Sequence, residues 1–210
     1  MAASLTGLAP AQDPADDGPA PGLHEVPLAL QSDISKAIDL GVEHLLSQQS
    51  MDGSWLQNLD GYGSGMTGLA LYALLKSGVS PEHPSVRRGF AFMERHPPKK
   101  TYSRSCVLLA VATRGLESDE EWIATLTDEL IDSQVSEGWG YPGGHPDLSN
   151  TQYAAMALRA AQAAGAKVPS KVWKRLADAV LDYAEPMEGT SSGLTARGFR
   201  YTSSAQHATG

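Results

Sequence analysis

Apolar and polar positions alternate along most of the chain in the way that packed helices require. From Ser32 onwards, apolar residues recur every three or four positions and charged residues occupy the opposite side, which predicts an amphipathic helix capped by Ser32 or Asp33. Its apolar face consists of Ile34, Ala37, Ile38, Gly41, Val42, Leu45 and Leu46. We expect this face to be buried against the rest of the protein.

The following helical segment, residues 66–76, has no charged side and is predicted to be buried all round. The same alternation then continues to the end of the chain. Amphipathic helices are predicted over residues 84–96, 118–134 and 170–185, and apolar helices over residues 102–113 and 150–164. Strand-like sequence is confined to residues 198–201. The pattern therefore predicts an all-α fold in which outer, amphipathic helices alternate with inner, apolar ones.

Composition narrows the class of protein. The 210 residues are 41% hydrophobic, which is enough for one sizeable core, and the net charge of -8 argues against nucleic acid and anionic membranes as partners. No apolar run reaches the roughly 20 residues that span a bilayer. The single cysteine, Cys106, excludes an internal disulfide and a thiolate metal cluster.

Residues 1–31 differ from the rest, because they are rich in alanine, proline and aspartate and lack a hydrophobic period. We predict a disordered tail over residues 1–31 and one helical repeat domain over residues 32–210. The Ala9-Pro10-Ala11 segment resembles a signal-peptidase site without the preceding basic and apolar regions. Two interpretations stay open: a linker in a cytoplasmic protein, or the end of a secretory signal whose start lies upstream, which would make the protein extracytoplasmic.

A short motif recurs where an amphipathic segment gives way to an apolar one. The two copies consist of Gln49, Gly53 and Trp55, and of Gln134, Gly138 and Trp139. Glycine permits a tight turn after the outer helix, tryptophan packs on the neighbouring outer helix, and glutamine satisfies backbone groups at the helix end. We interpret all six residues as structural rather than catalytic. A repeat of this kind indicates a helical array whose units stack on one another.

These motifs resemble the QW repeat of the squalene-hopene cyclase and prenyltransferase β-subunit superfamily. The segment from Asp147 to Tyr153 is similar to bacterial squalene cyclase-like repeat proteins, and residues 198–201 resemble a degraded third copy. The resemblance implies an α/α toroid of concentric outer and inner helices, which usually closes with about six pairs. This chain supplies roughly three and a half pairs. We therefore expect an incomplete ring, either because the reading frame is partial or because the chain assembles with a partner.

The chemistry of the family is not matched by this sequence. There is no Asp-x-Asp-Asp motif for protonating an alkene, and Cys106 lacks the Asp and His companions of a prenyltransferase zinc site. The glycine-rich segment from Gly63 to Gly68 fits a dinucleotide motif but has no preceding strand, so we interpret it as a flexible loop between outer and inner layers. No catalytic residue, metal site or cofactor is predicted, and Cys106 is interpreted as a small buried hydrophobe.

The remaining candidates are residues expected to face the cavity of the ring: Asp147, Asn150, Tyr153, Met66 and Tyr72. Asp147 is the most interesting acid among them, although it also fits the position of a helix N-cap. The favoured hypothesis is a non-catalytic repeat module that offers an apolar concave surface to a lipid, a peptide, a protein partner or a second copy. The alternatives are a fragment of a class II triterpene cyclase-like enzyme whose acid lies outside this chain, and a structural or adhesive secreted protein.

Overall fold

The structure, a computed structural model, describes residues 27–55, 61–136, 138–185, 188–189, 195–196 and 198–202. Within these ranges it contains seven α-helices, one short 3-10 turn and a pair of two-residue antiparallel strands. The elements are α1 (Leu28–Ser47), α2 (Gly63–Lys76), α3 (Pro84–Arg95), α4 (Thr101–Arg114), the 3-10 turn (Glu117–Asp119), α5 (Glu120–Asp132), α6 (Leu148–Ala163), α7 (Ser170–Tyr183), β1 (Glu188–Gly189) and β2 (Thr195–Ala196). The all-α prediction is confirmed, and every predicted helix is found. None of the described helices has the length and apolarity needed to span a membrane.

The chain divides into two compact units, residues 1–37 and residues 38–210, and the boundary falls inside α1. In the first unit, the described residues are the start of α1. Most of the tail predicted over residues 1–31 lies outside the described residues, and α1 begins four residues before the predicted Ser32. Ser32 and Asp33 therefore lie within the helix, and the prediction that one of them caps it is wrong.

The second unit is built on a row of three helices, α2, α4 and α6, which we call the row helices. Helix α4 packs against both α2 and α6. The flanking helices pack on this row: α3 on α2, α5 on both α4 and α6, and α7 on α6. The core lies between the two sets, and its fully buried side chains include Leu71, Leu108 and Leu158 of the row helices and Leu130 of α5. The predicted alternation of apolar and amphipathic helices is thus visible in their contacts.

The row helices pack closely because small residues face one another. A Cβ atom added to Gly65 would lie 2.6 Å from the Cα atom of Ser103, and one added to Gly68 would lie 2.8 Å from the carbonyl carbon of Cys106. Neither distance is sterically possible, so only glycine fits at these positions of α2. The interpretation of Gly63 to Gly68 as a flexible loop is wrong, because these residues form the first turns of α2.

The two glutamine–glycine–tryptophan motifs form equivalent corners. The backbone N–H of Trp55 donates to Thr67 Oγ1 at 3.1 Å and that of Trp139 donates to Thr151 Oγ1 at 3.0 Å. The indole N–H of each tryptophan donates to a leucine carbonyl at the end of the preceding helix, Leu45 for Trp55 and Leu130 for Trp139. These bonds place Trp55 and Trp139, Thr67 and Thr151, and Leu45 and Leu130 at equivalent positions of the two corners.

Glycine and glutamine complete the corners as the sequence predicts. Gly53 and Gly138 adopt φ values of 95° and 106°, a left-handed conformation that favours glycine. The side-chain amides of Gln49 and Gln134 donate to backbone carbonyls of Ser85 and Val172, at 2.8 and 3.0 Å. Gln49 therefore connects the first corner to the first turn of α3, and Gln134 connects the second corner to the first turn of α7.

Two expectations about burial are wrong. Ile34 and Ile38 of α1 are 45% and 46% exposed, so the predicted apolar face is packed against the core only near its end, at Val42, Leu45 and Leu46. Helix α2 is not buried all round, because Met66 and Leu69 are half-buried. Phe199, in the proposed third copy of the motif, is 53% exposed and does not take the packed position of the two tryptophans.

An ion pair fixes the far end of α4. Arg114 forms two hydrogen bonds with the carboxylate of Asp119 in the 3-10 turn, and both side chains are largely buried. The guanidinium also lies 3.7 Å from the centroid of the Phe90 ring of α3. This residue therefore joins α4 to the 3-10 turn and to α3.

Candidate functional site

The N-terminal ends of the three row helices lie together and carry a cluster of tyrosines. The Tyr62 ring, just before α2, is 6.4 Å from the Tyr102 ring of α4 and 6.0 Å from the Tyr141 ring, measured between centroids. Tyr102 in turn lies 4.5 Å from Tyr153 of α6, and Lys100 Nζ stands 3.7 Å from the centroid of Tyr62. We call these residues the tyrosine cluster. The shared end also shows that the row helices run parallel.

Asp147 stands beside this cluster, as the N-cap of α6. Its Oδ1 accepts a hydrogen bond from the Asn150 backbone N–H at 2.8 Å, and its Oδ2 accepts one from Asn150 Nδ2 at 2.7 Å. The carboxylate is buried, and both of its oxygens accept hydrogen bonds from Asn150. The structure therefore gives Asp147 the role of a helix cap, which the sequence also allowed.

Two hydroxyl groups of the cluster, those of Tyr102 and Tyr141, are held in their neutral form. Partial burial, with a hydrogen bond to Tyr62, raises the pKa of Tyr141 to about 12. Burial, with the nearby Cys106 thiol, raises the pKa of Tyr102 as well. Neutral phenols of raised pKa are poor general bases at neutral pH, so the cluster is suited to packing and hydrogen bonding rather than to proton abstraction.

A separate groove of about 370 Å³ lies between the C-terminal end of α1 and one side of α2. We call it the α1/α2 groove. Its apolar lining consists of Leu45, Trp55, Met66, Leu69, Ala70 and Ala73. His44 and Gln48 contribute its polar groups, and no acidic side chain is among the described residues that line it. The groove is open to solvent over Met66, Leu69 and Ala73, which are only half-buried.

The second motif builds the same groove between α5 and α6, and there it is covered. The alignment by the tryptophan corners matches Leu45 with Leu130, Ala70 with Ala154, and Ala73 with Ala157. Leu130, Ala154 and Ala157 are all completely buried. On the flanking helices, Ile38 is 46% exposed whereas its counterpart Ile123 is 5% exposed. The two grooves thus share a tryptophan corner and differ in two respects: α5 packs against α6 more extensively than α1 packs against α2, and α4 lies over the α5/α6 groove.

Helix α4 is the element that covers the α5/α6 groove. It packs against both α5 and α6, with the Tyr102 ring against Tyr153 and the Arg104 guanidinium bonded to Glu129 Oε2 at 2.5 Å. The counterparts of Tyr153 and Glu129 in the α1/α2 groove are Leu69 and His44. At these two positions the α1/α2 groove thus offers an apolar side chain and an imidazole where the α5/α6 groove offers a phenol and a carboxylate.

The residues that the sequence placed in one cavity lie on two of the row helices and on the loop before α6. Asp147, Asn150 and Tyr153 meet at the N-terminal end of α6, whereas Met66 lies in the α1/α2 groove. Tyr72 is half-buried and packs against the core. Sequence reasoning missed His44, Leu45, Ala70 and Ala73 as groove residues, although aligning the two motif copies would have shown that their counterparts face another helix.

The described residues bring no group of three or more His, Cys, Asp or Glu side chains together in a way that could hold a metal ion. Comparison of the chain with protein-family models, curated protein sequences and solved structures finds no match.

Proposed function

We propose that this chain is a non-catalytic helical-repeat module of the squalene cyclase-like type, an incomplete α/α toroid that binds an apolar ligand or partner in the α1/α2 groove. The contacts of the row helices support the toroid, because α2, α4 and α6 follow one another in parallel while the flanking helices cover one side of them. Inner and outer helices of a toroid have the same relationship.

The observation that carries the binding role is the difference between two equivalent grooves in one chain. The same tryptophan corner builds both, and in the α5/α6 groove the alanines and leucine that match the α1/α2 lining are fully buried. An apolar groove that stays open in a water-soluble protein typically marks an interaction site. The α1/α2 groove is therefore where this module takes its ligand.

The side chains that would serve catalysis have structural roles here. Asp147 caps α6 through Oδ1 and accepts a side-chain hydrogen bond from Asn150 through Oδ2, and Cys106 is fully buried beside the α2 backbone. Burial also raises the pKa of the Cys106 thiol to about 12, so the thiol is neutral and unreactive at physiological pH. These residues support a binding module better than an enzyme.

The test is the binding of an environment-sensitive hydrophobic dye to the purified, folded chain. We expect strong dye fluorescence that the variant Leu69→Glu abolishes, because a carboxylate placed in the groove opposes apolar ligands. The matched control is Met156→Glu, on an exposed position of α6, which should leave the fluorescence unchanged. Circular dichroism would verify that both variants keep their helices. A folded chain that does not bind the dye, or equal losses in the two variants, would refute the proposal.

A further inference from the structure

The proposed function leaves the chemical nature of the groove's occupant open, and the internal repeat specifies it. We infer that the α1/α2 groove binds a single α-helix of a partner protein. This helix runs parallel to α2, presents small and apolar residues to the groove, and carries a carboxylate opposite His44. The inference depends on the proposed function and goes further, because dyes and lipids would satisfy that function without any helix.

The covered α5/α6 groove shows how a row helix sits in such a groove. Helix α4 lies along α6 with both N-termini at the same end, as the 4.5 Å contact between Tyr102 and Tyr153 shows. The row continues through α4 to α2, where Ser103 faces Gly65 and Cys106 faces Gly68. The α1/α2 groove is the next position in the same row, on the other side of α2. A helix placed there continues an interface that this chain already forms twice.

Individual positions of the α1/α2 groove specify the side chains of its occupant. The occupant's residue that corresponds to Tyr102 meets Leu69 instead of Tyr153, and so an apolar side chain suits it. The residue that corresponds to Arg104 meets His44 instead of Glu129. An imidazole N–H donates a hydrogen bond to a carboxylate. The occupant should therefore carry Asp or Glu opposite His44, whereas α4 carries Arg104 opposite Glu129 in the α5/α6 groove. The charge of the partner is thereby reversed relative to α4.

A second copy of this chain fits the α1/α2 groove poorly. If a second copy bound in the same register, it would insert its α6 into the α1/α2 groove, with the side of α6 that faces away from α4 in contact with α2. That side presents the polar Gln152 and Arg159 to solvent together with Met156, which is 40% exposed, and a mainly polar outer face is typical of a capping repeat. Helix α7 also already occupies the flanking position on α6 that α1 of a second copy would need. The groove is therefore matched to a different polypeptide with an apolar row helix.

The experiment uses the full chain and two synthetic peptides of residues 100–116, both with Cys106→Ser to avoid oxidation. One peptide keeps Arg104 and the other carries Arg104→Glu. Their binding is measured by fluorescence anisotropy to the wild-type chain and to His44→Glu, a change at an exposed residue that recreates the Glu129 environment. A scrambled peptide and the Met156→Glu chain serve as controls.

We expect the preferences to cross. The wild-type chain should bind the Glu peptide at least about threefold more tightly than the Arg peptide, and His44→Glu should reverse this order, in keeping with the size of exposed charge pairs. Leu69→Glu should abolish binding of both peptides. Met156→Glu should change neither affinity, and the scrambled peptide should not bind.

Four outcomes would overturn the inference. Dye binding without peptide binding would leave the proposed function standing and refute the helix. Peptide binding whose preference does not respond to His44→Glu would show that the helix does not lie in the α4 register. A wild-type dimer in sedimentation equilibrium that Leu69→Glu dissociates would identify a second copy as the occupant. Failure of the dye and the peptides together would refute the proposed function itself.

Discussion

A matched pair of substitutions tests whether the two grooves are equivalent and differently covered. Ala73 and Ala157 occupy the same position of the repeat, but Ala157 is completely buried under α4 whereas Ala73 is half-buried in the α1/α2 groove. Replacing each with leucine adds the same three carbons to a helix interior, and because alanine and leucine are both good helix formers, the propensity difference is small at both sites. The difference between the two variants therefore reports the space above each alanine.

At Ala157 the added carbons meet helix α4. Overpacking of a filled core costs about 1–3 kcal/mol, and for a domain of this size each kcal/mol lowers the melting temperature by about 2–4 °C. Ala157→Leu should therefore melt roughly 2–12 °C below the wild type. At Ala73 the added carbons enter the open groove, so Ala73→Leu should lie within about 0.5 kcal/mol of the wild type, the range of ordinary surface changes.

The assay is urea unfolding followed by circular dichroism, with thermal melts as a second probe. If the slope of the unfolding free energy against urea concentration, the m-value, is the same in all variants, the substitutions change the stability of the native state rather than the compactness of the unfolded chain. Equal destabilisation by the two variants would refute the reasoning, because it would mean that something covers Ala73 as α4 covers Ala157. A neutral Ala157→Leu would refute the packing of α4 on α6.

Three further predictions concern single sites. Trp55→Ala should lower the unfolding free energy by about 3–5 kcal/mol, since the indole is 3% exposed and bonded to Leu45, and a near-wild-type urea midpoint would remove it from the core. Asp119→Asn should cost about 3–5 kcal/mol by leaving the Arg114 guanidinium buried without its carboxylate, whereas the double variant with Arg114→Met should recover part of the loss in a double-mutant cycle. Because burial raises the pKa of the Cys106 thiol from an ordinary 9.0 to about 12, the thiol should resist a disulfide reagent at pH 8 until the chain unfolds, and rapid reaction in the folded state would contradict its burial. The protonated thiol contributes fully to the free energy of unfolding below pH 9, and this contribution declines as the pH rises from 9 to about 12.

Much of the fold follows from local patterns in the sequence. The seven helices are marked by hydrophobic periodicity, and the corners by glycines at positive φ next to tryptophans that pack inside. The capping role of Asp147 and the burial of Cys106 are also readable, because short polar groups before a helix and a lone cysteine in an apolar run have few alternatives. These features depend on residues close together in the chain.

The features that the sequence did not reveal depend on contacts between distant segments. Gly65 and Gly68 have the low helix propensity of loop residues, but the close approach of α4 requires glycine there and keeps them helical. The hydrophobic period of α1 identifies its apolar face but does not show whether another helix covers that face, so the sequence did not predict the exposure of Ile38. The tyrosine cluster likewise joins Tyr62, Tyr102 and Tyr141, which belong to three different segments.

The most direct test of the account is to locate the bound helix by NMR. Methyl spectra of the full chain, recorded during titration with the Arg104→Glu peptide, should show the largest shifts at Leu45, Leu69 and Ala73, the residues that line the α1/α2 groove. Their counterparts Leu130 and Ala157, which α4 already covers, should keep their positions. Shifts concentrated on the exposed side of α6, or spectra that the peptide leaves unchanged, would contradict the claim that this groove receives a row helix.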